Sequence, residues 1–264
     1  MSILEVKNLS AGYGKKIILE DISFEVSGGE ICGIIGLNGS GKTTLIKAVT
    51  NIIPHSGNAF IDGQDTGLLS SNKLASLCGF IPQKSGISID LPVLDVVLMG
   101  FNPKLKLLQN PTSSMISKAR AMIKTVGLEG RENDNFQKLS EGQKQIVLLA
   151  RALVSESKIL FMDELESYLD FKVRYKTMNL ISDIVKANNM GALLSMHDIN
   201  LSLNTCDKLI LIKDTKIADI IYPKTDLTAD IEQKLSSIYG QVSVHKIMTN
   251  KNNEQMVMLN MAEE

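Results

Sequence analysis

The stretch EICGIIGLNGSGKTTLIKAVTNI, residues 30–52, constrains this chain more than any other. ICGII is a short apolar run of the kind that forms a strand buried on both faces. TTLIKAVTNI has the look of a helix. Between them GLNGSGKT fits the spacing GxxxxGKT, with Gly36, Gly41, Lys42 and Thr43 at the fixed positions. A strand, a glycine loop and a helix in that order are what a phosphate-binding loop requires. The glycines let backbone N–H groups curl around phosphates. Lys42 supplies a positive charge at the β and γ phosphates and Thr43 a hydroxyl for Mg²⁺. Asn38, Gly39, Ser40 and Thr44 complete the candidate cradle for a nucleotide such as ATP. The plainer alternative is a tight turn, which would not need this context.

A second helix start carries the same chemistry. In LSEGQKQ, residues 139–145, Ser140 suits an N-cap and Gly142 lets a group approach the backbone closely. Such a helix end attracts anions. One nucleotide has no evident use for two of them so far apart in the chain.

Other candidates are weaker alone. Asp163 and Glu164 follow the apolar run ILFM. Asp163 at a strand end can orient Mg²⁺ through water, and Glu164 can act as general base toward an attacking water. Strands also end in plain solvated carboxylates. His197, in LLSMHD, ends a strand from which a ring can reach a γ-phosphate, or it is simply a packed histidine. Gln83, in GFIPQ, can touch the metal or the water, or is a loop residue. Tyr13, in AGYG, can stack on adenine or pack a turn. His55 and His245 have no comparable setting.

Composition narrows the class. A chain of 264 residues suits one large domain with an inserted part. A net charge of −1 weighs against a general nucleic-acid or anionic-lipid binder. Cys32, Cys78 and Cys206 lack metal spacing and read as reduced buried thiols. No apolar run approaches the roughly 18–20 residues of a membrane span. MSILEVKNLS alternates like a strand and lacks a signal-peptide core. The expectation is a soluble chain, held at any membrane by another protein.

Residues 1–30 read as two strands, turning at Gly12 and Gly14 and again at Ser27-Gly28-Gly29. Residues 56–65 are a further strand and turn, and 86–145 a helical subdomain without strands. Beyond it, helix and strand patterns alternate. Residues 222–264 read as a short C-terminal extension, in which QVSVHKIM and EQMVMLNM pair as a β-hairpin across TNKNNE.

Taken in order, Tyr13, GLNGSGKT, Gln83, LSEGQ, ILFMDE, Asp170 and His197 resemble the motif set of ABC transporter ATPase subunits, over nearly the whole chain. The resemblance implies an α/β fold in one domain, 1–264: a P-loop NTPase core with an N-terminal antiparallel β subdomain and an inserted helical subdomain. It implies ATP and Mg²⁺ as ligands, with Thr43, Gln83 and Asp163 at the metal and Glu164, Gln83 and His197 in catalysis. It also implies a head-to-tail dimer of two copies that sandwiches two ATP molecules. Ser140, Gly142 and Gln143 then serve the partner's nucleotide, with Asp170 closing the D-loop, which answers why one chain has two anion-binding helix ends.

The segment VLDVVLMGFNP after Gln83 and the segment after His197 resemble the branch serving iron–siderophore, haem and cobalamin importers. That branch implies a polytopic permease partner, indirectly a substrate-binding protein, a place at the cytoplasmic face of the membrane, and no nucleic acid. The rival is a soluble ABC ATPase in regulation or assembly, but the chain lacks the second cassette or coiled-coil insertion that would favour it. Three positions depart from the family's pattern. Glu141 stands where glycine is usual. Leu165 and Glu166 stand where proline and threonine usually follow the catalytic glutamate, so restoring that pair is expected to raise turnover if this loop limits it.

Overall fold

The computed structural model describes residues 1–106, 108–248 and 254–260. Strands β1 (Ser2–Tyr13) and β2 (Lys16–Ser27) pair antiparallel. β1 runs through Gly12, where a turn was expected, and the chain reverses only at Gly14 and Lys15. A side chain at residue 12 would sit 2.1 Å from the Lys16 carbonyl oxygen, so glycine there permits close strand pairing rather than a turn. After β3 (Ile31–Ile35) and α1 (Lys42–Val49), β4 (His55–Ile61) returns to pair with β1, and β5 (Gln64–Asp65) closes a four-stranded sheet in the order β2-β1-β4-β5.

α2 (Ser71–Leu77) leads to β6 (Cys78–Ile81). The next elements are α3 (Val93–Leu98), α4 (Ser113–Thr125) and α5 (Glu141–Val154), joined by loops and short 3₁₀ helices. Strand and helix then alternate: β7 (Ile159–Asp163), α6 (Phe171–Ala187), β8 (Gly191–Ser195), α7 (Ile199–Thr205), β9 (Lys208–Lys213) and β10 (Lys216–Ile221). These strands form a six-stranded sheet in the order β10-β9-β3-β8-β7-β6, parallel except for β10.

The central strands are buried on both faces, as their unbroken apolar runs require. Leu160 and Met162 of β7 face a core shared with the helices α3 to α7. Ile159 and Phe161 face a second core, shared with α1 and the antiparallel sheet. Cys32 and Cys206 are buried, Cys78 is half-buried, and all three are free. Burial pushes the Cys78 and Cys206 thiols up to about 12.

The C-terminal segment is more than a hairpin. Ile231, Leu235 and Ile238, at helical spacing, bury one face of α8 (Thr228–Tyr239). β11 (Val242–Met248) and β12 (Glu254–Asn260) then pair antiparallel. The turn expected between them falls in 249–253, outside the described residues. β12 is fastened to α7 by side-chain amides: Asn204 accepts from Met256 N and donates to its carbonyl, at 2.9 and 2.8 Å, and Asn200 accepts from Met258 N at 2.7 Å. No helix among the described residues is long and apolar enough to cross a membrane.

Candidate active site

Four parallel strands deliver their loops to one edge of the sheet. The glycine loop leaves β3, Gln83 follows β6, Glu164 follows β7 and His197 follows β8. The carboxyl edge of an open parallel sheet is where such folds place ligands.

At the glycine loop, Lys42 is buried and its Nζ donates to the carbonyls of Gly36 at 2.8 Å and Leu37 at 3.3 Å. Burial pulls the ammonium down from the usual lysine range, and the carboxylates of Glu164, Asp163 and Glu166 oppose that. Gly41, at φ 108°, begins α1 with no side-chain cap. A Cβ there would meet Leu19 Cδ2 at 2.8 Å, so strain and space both demand glycine. The first-turn N–H groups of α1 are thus presented without a side chain to satisfy them. The Ser40 hydroxyl is buried and finds no partner among the described residues. Orphaned donors around a lysine fit a polyphosphate.

Asp163 Oδ1 accepts from Thr43 Oγ1 at 2.9 Å and from Ser195 Oγ at 2.5 Å. The Thr43 and Asp163 oxygens therefore converge, and hard oxygens suit Mg²⁺. No group of three or more His, Cys, Asp or Glu side chains among the described residues could hold a metal alone.

Glu164 has left-handed backbone, φ 53°, a conformation that costs a non-glycine residue on the order of 1 kcal/mol. It is fixed there by its N–H, which donates to Ser195 Oγ at 3.1 Å and Ser195 O at 3.3 Å. The turn aims its carboxylate into the site. Gln83 Nε2 donates to Oε2, and His197 Nε2 meets Oε1, both at 2.5 Å. Three residues far apart in the sequence, grouped there only by the resemblance, are thus one hydrogen-bonded cluster.

Two positioning contacts escaped sequence reasoning. Gln145, buried on α5, donates from Nε2 to the Gln83 carbonyl at 2.7 Å. Its one available signal was a glutamine amid the apolar run IVLLA. Glu166 was noted only as a departure, yet its Oε1 accepts from the His197 N–H at 2.8 Å. Burial pushes the Glu166 carboxyl above the usual carboxylate range.

Ser140, Gly142, Gln143 and Asp170 gather elsewhere, around a cavity of about 630 Å³ between α5 and the start of α6. Ser140 and Gln143 form a complete capping box, the hydroxyl accepting from Gln143 N at 3.3 Å and the amide oxygen from Ser140 N at 3.1 Å. A Cβ on Gly142 would lie 2.9 Å from the Tyr168 carbonyl oxygen. Asp170 caps α6 by accepting from Val173 N at 2.9 Å. Glu141 turns out to solvent and pairs with Lys144 at 2.8 Å. Among the described residues no hydrogen bond joins this set directly to Lys42 or Glu164. Tyr13 stands apart from both, half exposed at the Gly14 turn.

The family described as ABC transporter matches residues 19–167. The probable iron chelatin transport ATP-binding protein of Helicobacter pylori is 35% identical, over 81% of this chain and 85% of its own. The manganese transport system ATP-binding protein of Bacillus subtilis is 35% identical, over 90% and 92%. Among solved structures, a chain described as from a metal-chelate type ABC transporter, in an inward-facing conformation, superimposes with a TM-score of 0.83 at 24% identity, covering 98% of both chains. A dimeric ATP-binding cassette in a post-hydrolysis state, bound to ADP and Pi, gives 0.73 at 24% identity, over 83% and 98%. With the glycine loop, the acidic strand end and His197 meeting on one sheet edge, the chain belongs to the ATP-binding subunits of ABC transporters and is an ABC-type ATPase.

Proposed function

We propose that this chain hydrolyses ATP as a dimer of itself at the cytoplasmic face of a membrane, powering uptake of a metal chelate through a separate permease. The observation that carries it is Glu164, held at both oxygens by Gln83 and His197 beside the buried Lys42. Lys42 and the free N–H groups of α1 hold the phosphates. Glu164 accepts the proton of the attacking water. His197 orients that carboxylate, and Gln145 sets the height of Gln83. Thr43, Asp163 and Gln83 would hold Mg²⁺, which supplies charge neutralisation on the β and γ phosphates. Tyr13 would stack on the adenine.

The separate α5 end supports the sandwich. Ser140, Gly142, Gln143 and Asp170 lie on a surface of their own, suited to meet a nucleotide held by the other copy. We take residues 86–145 as a helical subdomain that, with the Gln83 loop, docks the permease. The iron chelatin and metal-chelate relatives support the cargo class, and a substrate-binding protein would deliver it. The manganese transport relative supports a metal ion as the second reading of the cargo. Glu164→Gln is the test: ATP should still bind, turnover should fall by about 10²-fold or more, and the variant should run as a dimer on a sizing column with saturating ATP. A monomer under those conditions sinks the sandwich. Purification of the tagged chain from detergent-solubilised membranes, with identification of a stoichiometric permease by mass spectrometry, tests the transport reading.

A further inference from the structure

Two carboxylates of one loop hold the same histidine. Glu164 Oε1 meets the His197 ring at Nε2, 2.5 Å away, while Glu166 Oε1 accepts the His197 backbone N–H at 2.8 Å. Between them Leu165 is 2% exposed and packs into the larger core, which pins the loop from behind. Glu166 is 4% exposed. A carboxylate buried to that extent opposes folding unless it is well paired, and an apolar side chain would pack there at lower cost. Stability alone therefore does not explain a glutamate at this position. The next residue is gripped as well. Arg174, from α6, donates to Asp198 Oδ2 at 2.8 Å and to the Leu169 carbonyl at 3.3 Å. The peptide carrying the imidazole is thus tied to residues 164–174 by side chains on either side of it.

We propose that Glu166 is a positioning residue for ATP hydrolysis: by accepting the His197 N–H it fixes where the imidazole meets Glu164. Movement of residues 165–170, the loop beside the second helix end, is thereby passed to the histidine of the chain's own site. The inference rests on the roles given above to Glu164 and His197, so its test includes a readout that needs no turnover.

Glu166→Ala removes the acceptor, Glu166→Asp keeps the charge but shortens the reach, and Glu166→Gln keeps an oxygen of the same reach without charge. In the full-length chain, the Ala and Asp variants should lose about tenfold or more in kcat. Their KM for ATP should stay within about twofold, as for a group that acts in the transition state alone. The Gln variant should keep most of the rate. The histidine ring NMR signals, recorded without nucleotide, separate this from a failure of the hydrolysis reading. The chain has three histidines; the His197 signal should move in the Ala and Asp variants and hold in Gln, while His55 and His245 stay still. A stationary His197 signal in the Asp variant overturns the proposal, whatever the ATPase assay shows. So does a Gln variant as impaired as Asp, because Gln keeps an acceptor oxygen at the same reach. A moved signal with an unchanged rate would leave the positioning correct and remove His197 from the rate-limiting chemistry, overturning the catalytic half.

Discussion

The two anion-seeking helix ends of this chain are built in opposite ways. α1 starts at a glycine, with no side-chain cap and a buried Ser40 hydroxyl that finds no partner among the described residues. α5 starts with a capping box in which Ser140 and Gln143 satisfy each other. The first end is incomplete without a ligand. The second is finished by its own residues and leaves only the N–H groups of Glu141 and Gly142 to meet anything from outside. One is a socket and the other a rigid edge, the division of labour expected if a nucleotide is held by one copy and closed upon by another.

The largest effect should come from the socket. Lys42→Ala should weaken nucleotide binding and lower turnover by about 10²-fold or more; phosphate release and a fluorescent nucleotide titration check both. An unchanged affinity would mean that the backbone cradle alone binds the phosphates. Gln145→Leu should come next. It frees the Gln83 carbonyl from α5 and should reduce kcat by about tenfold with nucleotide affinity intact, and a drop in affinity instead would place Gln83 in ground-state binding. At the edge, Ser140→Ala should cost about 1 kcal/mol of stability, read by denaturant melts, and lower turnover without altering nucleotide affinity of the isolated monomer. Equal loss of monomer affinity would erase the distinction between the two ends. The smallest effect belongs to Glu141→Gln. Its partner Lys144 is a surface ion pair, worth about 0–1 kcal/mol, and turnover should change by less than about twofold. A large gain would show that the carboxylate, though turned away here, repels the partner's phosphates.

Most of the socket was legible in the sequence because its spacing is enforced locally: a glycine loop must join a strand to a helix within a few residues. The strand ends at Asp163, Glu164 and His197 were legible because parallel pairing of apolar runs sends them to one edge. Gln83 and Glu164, 81 residues apart, meet only through tertiary packing, and so no period or spacing foretold their bond. Gln145 and Glu166 were obscure for the same reason, since each acts through a backbone group of a distant loop. Gly12 misled because the same residue serves a turn or a close strand approach. The pair Leu165 and Glu166 shows the limit best. Read as losses, they suggested that Leu165→Pro with Glu166→Thr would raise turnover. With Leu165 in the core and Glu166 on the His197 N–H, that double change should lower it by about tenfold in a steady-state assay.

The paired strands at the far end of the chain have a consequence for how the molecule opens. Asn200 and Asn204 belong to α7, which begins two residues after His197, and their amides replace a neighbouring strand along β12. Breaking one such bond strands the other groups of the same amide ladder, so α7 and β12 should loosen together as one cooperative unit. The amide protons of Met256 and Met258 should then exchange in step with those of α7, and the turn that carries His197 borrows its persistence from a segment more than fifty residues downstream.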